Sequence, residues 1–127
     1  MIFGIGTDIV HVARMHNNLD RYGEQFARRI LVEQEWAAFL ASKRRAHFLA
    51  KRFAAKEAAV KAMGTGFRNG ITLKQIAVSH EQDGRPLLGF SDQAQEFITR
   101  SGIKSAHLSL SDEEEYALAF VTLQCEN

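Results

Sequence analysis

The sequence has one cysteine, one proline and no apolar run long enough to cross a bilayer. Cys125 has no second thiol to pair with, so an intrachain disulfide and a CxxC redox or zinc motif are both excluded, and a reducing, cytoplasmic setting is expected. Without about 18 consecutive apolar residues, no membrane span is expected. The opening MIFGIGTDIV lacks the basic segment and apolar core of a secretory signal. The five histidines show no HExxH spacing, which argues against zinc. Neither GIGTDI nor GTGFRNG completes GxGxxG, and GxxxxGK[ST] is absent, so a Rossmann or P-loop nucleotide site is set aside. With 46% hydrophobic and 24% charged residues, a folded chain is expected rather than a disordered one.

The 127 residues fit one domain. The net charge of +1 conceals an asymmetry: residues 1–62 carry 11 Lys/Arg against 6 Asp/Glu, and residues 63–127 carry 5 against 9. A basic first half suits an anionic ligand or partner, and it equally describes solvated helix faces. Residues 2–10 read as a buried strand, 12–31 as a helical stretch interrupted at Gly23, and 33–41 as a second helix. The longest helix is predicted over 43–63, rich in Ala, Lys, Arg and Glu, with Gly64 in the position of a C′ glycine. Residues 76–80 and 87–90 flank Asp83–Gly84, a hairpin signal. Residues 91–100 read as a short helix with Ser91 at its N-cap and Gly102 beyond its end. Residues 105–111 and 116–123 form a second hairpin around the acidic run 112–115. The expectation is a single α+β domain, a long central helix packed on a mostly antiparallel sheet.

Counting about 100° per residue from Leu49, Phe53, Val60 and Met63 make an apolar stripe, with Glu57 at its edge and Lys61 just outside. A carboxylate bordering a buried stripe needs a partner. One reading is a Glu57–Lys61 pair at i, i+4. Another joins Glu57 to Asp8, which interrupts an apolar strand, at one hard cation such as Mg²⁺, a metal held by one or two carboxylates plus phosphates and water. Asp8 is equally readable as the cap of the next helix. Lys61, with Gly64-Thr65-Gly66 just beyond it, suits a phosphate, or is part of a plain helix stop. His107, Ser109 and Ser111 share one strand face, where His107 serves either phosphate contact or structure. Arg14, Arg21 and Arg28 recur every seven residues, as a docking strip for an acidic partner or a solvated face. The low net charge and scarce exposed aromatic pattern weigh against a nucleic-acid-binding module.

GIGTDIV at 4–10, RFAAKEAAVKAMGTG at 52–66 and AHLSLSD at 106–112 together resemble the bacterial holo-acyl-carrier-protein synthases, the small class of 4′-phosphopantetheinyl transferases. ARRILVEQEW, FLAKRF and DGRP fall where that family has similar text, so the resemblance spans essentially the whole chain. It implies the phosphopantetheinyl transferase fold and transfer of phosphopantetheine from coenzyme A to a serine of acyl carrier protein. It implies Mg²⁺ held by Asp8 and Glu57, and Lys61 on the phosphates. His107 is implied near coenzyme A, and Arg14 and Arg21 toward the carrier; Gly64 is taken as a further substrate-binding position from its place beyond the helix, and Arg28 as the third docking residue from its spacing. A homotrimer with active sites at subunit interfaces is also implied. Many members carry a second histidine where Asp112 stands, so position 112 receives no role.

Overall fold

The computed structural model describes residues 1–126. The chain runs β1 (Ile2–His11), α1 (Val12–Tyr22), α2 (Glu24–Ile30), α3 (Glu33–Ala41), α4 (Arg45–Met63), a 3-10 turn, β2 (Ile76–His80), β3 (Pro86–Phe90), α5 (Asp92–Arg100), β4 (Ile103–Asp112) and β5 (Tyr116–Cys125). It is a single-domain α+β fold. The strands form two antiparallel sheets rather than one: β1-β5-β4, and the β2-β3 hairpin on its own.

The chain's two ends meet in the larger sheet, where Asp8 lies opposite Ala119 of β5, itself opposite Leu110 of β4. The helix α4 packs across β1 and β5. Gly4 and Gly6 bring this contact close. A Cβ on Gly4 would run into the Ala62 carbonyl, and one on Gly6 into the Ala58 carbonyl, with the Ala62 nitrogen 2.7 Å away. Both obstacles are backbone, which does not yield as a side chain does. We therefore expect Gly6→Ala to destabilise the fold by about 1–3 kcal/mol. Chemical denaturation checks this, with a smaller loss expected at Gly89, where a Cβ meets open space.

The predicted stripe on the long helix is too narrow. Besides Leu49, Val60 and Met63, seven alanines of α4 are buried, and so are Arg52 and Lys56. The sheet covers one side of α4 and the other helices cover the rest, so nearly its whole circumference is interior. The helix also starts at Arg45 rather than Lys43. Its end is as expected: Gly64 adopts φ +80°, and its N–H donates to the Val60 and Lys61 carbonyls.

Two further expectations change. The strand β1 is buried on one face only; Ile5 and Ile9 are 57% and 60% exposed on the other, because α4 covers a single side of the sheet. Ser91 sits at the N-terminus of α5 without capping it through its side chain. Instead Gln75 Oε1 accepts the Ala94 N–H at 2.9 Å, a cap supplied from outside the helix.

Candidate active site

Alternation along β1 turns Gly4, Gly6 and Asp8 toward α4. Lys61 of α4 donates to Asp8 Oδ1 and to the Thr7 carbonyl, both at 3.0 Å. Asp8 therefore does not cap α1, whose N-cap His11 makes no side-chain capping bond. Glu57 stands one turn before Lys61. Burial pushes its carboxyl above the ordinary range, and the Asp8 charge pushes it further, against the opposing pull of Lys61 and Arg14. Two carboxylates held close enough to repel form a donor set for a hard cation, which would relieve the repulsion. No cluster of three or more His, Cys, Asp or Glu suited to a metal exists among the described residues. Substrate and water would have to complete any coordination shell.

The other anticipated residues are placed as follows. Arg14 and Arg21 lie on one face of α1, with Arg14 over the Phe53 ring. Arg28 does not extend that face. Gly23 (φ +67°, ψ −152°) ends the helix, and Arg28 stacks on Trp36 at 3.8 Å and pairs with Glu33 at 3.3 Å. Gly64 is exposed with its N–H used in the helix cap. His107 is exposed on the outer face of the larger sheet, 3.3 Å from Ser105 Oγ. Within one chain it therefore lies across the sheet from Asp8.

A second site was not anticipated. A cleft of about 530 Å³ opens between α4, the β2–β3 hairpin and β4, lined by Lys51, Arg52, His80 and Arg85, with Asp112 at its edge. Asp112 pairs with Lys51 at 3.9 Å. Burial, then the Arg52 and Lys51 charges, lower the His80 pKa, which favours its neutral form. Arg52 and Lys61 are nine residues apart, about half a turn around α4. The cleft and the carboxylate pair thus occupy opposite flanks of one helix. Arg52 stands inside the quoted RFAAKE segment, but its neighbours in space come from three other elements, so no spacing signals the cleft. A more apolar pocket of about 430 Å³ lies apart, between α1, α2 and the start of α4.

The chain belongs to the 4′-phosphopantetheinyl transferase superfamily, whose family model matches residues 4–121. Its relatives there are holo-[acyl-carrier-protein] synthases, and it is an enzyme of that small class. The protein from Nitrosococcus oceani is 56% identical, over 99% of this chain and 82% of the relative. The crystal structure of the Neisseria meningitidis protein superimposes with a TM-score of 0.92 at 40% identity, covering 98% of this chain and 99% of the other. That of the Bacillus anthracis protein, in complex with CoA (3′,5′-ADP), gives 0.84 at 37% identity, covering 99% of each.

Proposed function

We propose that this chain transfers the 4′-phosphopantetheine group of coenzyme A to a serine of an acyl carrier protein. Adenosine 3′,5′-bisphosphate leaves, and the activated carrier enters fatty acid biosynthesis in the cytoplasm. The observation that carries this is the Asp8–Glu57 pair backed by Lys61, on a scaffold matched by holo-[acyl-carrier-protein] synthases over nearly its whole length. The complex of the Bacillus anthracis relative with CoA supports the donor. The test is incubation with coenzyme A and apo carrier protein, with and without Mg²⁺, read by the mass of the intact carrier. Gain of phosphopantetheine only with Mg²⁺ is expected; an unmodified carrier overturns the proposal.

Asp8 and Glu57 would hold Mg²⁺, which supplies charge neutralisation at the pyrophosphate when bound. The serine oxygen attacks the β-phosphorus as its proton passes to solvent, the bond from that phosphorus to the bridging oxygen breaks, and the bridging oxygen leaves on adenosine 3′,5′-bisphosphate. An ammonium has three protons to donate, and Lys61 spends two on Thr7 and Asp8. The third is available to the departing oxygen. Orientation and electrostatics supply most of the acceleration. The basic cleft takes the nucleotide phosphates through Lys51, Arg52 and Arg85.

One chain separates these parts, since the cleft flanks α4 opposite Asp8 and His107 lies on the far side of the sheet. The exposed outer face carries Ile5, Ile9, Tyr116, Leu118 and Phe120. Such a patch suits a second copy of the chain. A homotrimer packed on it would set one copy's carboxylates against its neighbour's cleft.

Arg14 and Arg21 form the carrier-docking strip. We expect Arg14→Ala to raise the KM for carrier protein about tenfold at low salt, with little change in that for coenzyme A. The difference should shrink as salt rises. Steady-state kinetics with each substrate varied in turn checks this, and equal effects on both count against docking.

A further inference from the structure

A carboxylate and two cations lie together in the interior between α3, α4 and β2. Glu35 is 2% exposed, Lys56 0% and Arg52 6%. Glu35 accepts three hydrogen bonds and makes one further ion-pair contact. Oε1 accepts from the Val32 N–H at 2.9 Å and from Lys56 Nζ at 2.8 Å. Oε2 accepts from the Val78 N–H at 2.8 Å and faces Arg52 Nε at 3.4 Å. Lys56 also donates to the Ile30 carbonyl. The carboxylate is thus clamped to two backbone segments and cannot swing away.

Arg52 is treated differently. Its Nε has no hydrogen-bond partner of acceptable geometry, the only such buried side-chain atom among the described residues. The guanidinium lies over the Phe48 ring at 4.3 Å, and the residue lines the basic cleft. One carboxylate faces two cations, so the cluster retains a single positive charge. A buried uncompensated charge is costly unless something anionic reaches it. Lys56 is enclosed. Arg52 alone of the three opens to the cleft, so the excess charge is presented there.

The geometry points to Glu35 as a positioning residue, which fixes the Arg52 guanidinium at the cleft wall as a preformed contact for the phosphates of the nucleotide. This rests on the reading of the cleft as the nucleotide-phosphate site. An arginine on a free surface loses rotamer freedom when it binds. Arg52, held from behind by Glu35 and beneath by Phe48, has lost it on folding. Lys56 has a separate task, balancing Glu35 where no water can.

The experiment is calorimetric binding of adenosine 3′,5′-bisphosphate to the full chain and its variants. Arg52→Ala should weaken binding about tenfold or more. Lys56→Met leaves Glu35 facing Arg52 and should stay within about twofold of the parent. Glu35→Gln/Lys56→Met removes the buried pair together, a change that is often tolerated, and should weaken binding about tenfold. Added to Arg52→Ala, the same pair of changes should cost nothing further, since coupled residues are not additive. The KM for coenzyme A should rise in Glu35→Gln/Lys56→Met while kcat holds, whereas general loosening would lower kcat as well. Normal affinity in that double variant, with Arg52→Ala impaired, overturns the role of Glu35 and leaves the cleft reading standing. Normal affinity in Arg52→Ala overturns both. One measurement needs no variant: the Arg52 Nε–H resonance should exchange slowly with water in the ligand-free parent protein. Exchange as fast as that of an exposed arginine overturns the proposal.

Discussion

Asp8→Ala and Glu57→Ala should each lower kcat/KM by roughly a hundred- to thousandfold, the scale of removing one preorganised electrostatic group. The stability effects should diverge. Asp8 is paired with Lys61, so its loss leaves an ammonium with only the Thr7 carbonyl as partner. Glu57 is held against burial and against the Asp8 charge. A carboxyl whose folded pKa is raised contributes stability at low pH, and that contribution is lost as pH rises through the folded value. At neutral pH the Glu57 charge therefore opposes folding of the metal-free chain. Glu57→Gln should melt at the same temperature as the parent or higher without Mg²⁺, and should lose the stabilisation that Mg²⁺ gives the parent. Protons and Mg²⁺ compete for Glu57, so the apparent Mg²⁺ affinity should fall as pH is lowered, beginning above the usual glutamate range. Thermal melts and activity across a Mg²⁺ titration at several pH values check all of this. Near-normal turnover in both alanine variants would sink the metal pair.

On the proposed trimer, Phe120→Glu should leave a 14.3 kDa monomer and remove activity by about a hundredfold or more. Phe120 is 41% exposed in the single chain, centred on β5 between Thr7 of β1 and Ser109 of β4. A carboxylate buried there without a partner would cost several kcal/mol per copy. No residue of the carboxylate site or the cleft is altered. Loss of turnover together with loss of assembly would therefore mean that the site needs two copies. A mixing experiment sharpens this. Glu57→Gln and Arg52→Ala are each impaired, yet after co-assembly some interfaces join an intact carboxylate flank to an intact cleft. Partial recovery of activity is expected, and its absence would show that each chain works alone. Sedimentation and turnover on the same samples give both answers.

Much of the architecture is legible before folding is considered. The apolar run in residues 2–10, the helix-forming run ending at Gly64 and the hairpin around the acidic turn are local patterns, and each element forms where its pattern lies. What was illegible has one cause, the company each residue keeps. β1 looked buried on both faces because its pattern is apolar throughout, and nothing in it says that only one side will be covered. The stripe on α4 was drawn too narrow because alanine reads as neutral in a helix until other elements enclose it. Ser91 satisfies every local criterion for a side-chain cap, yet Gln75 arrives from elsewhere and takes the bond.

The sequence by itself determined the elements, marked Asp8 and Glu57 as carboxylates each in need of a partner, and pointed through its motifs to the family. These depend on short-range periodicity and on residue chemistry, which are present in the unfolded chain. Only the tertiary structure decided that Lys61 closes on Asp8 across 53 residues, a contact permitted because Gly4 and Gly6 let α4 lie against β1. It alone gathered Glu35, Arg52 and Lys56 into one buried cluster, and set the basic cleft on the flank of α4 opposite the carboxylates. The reason is physical. Burial and charge pairing are properties of surfaces that meet, and no spacing along a chain states which surfaces those will be.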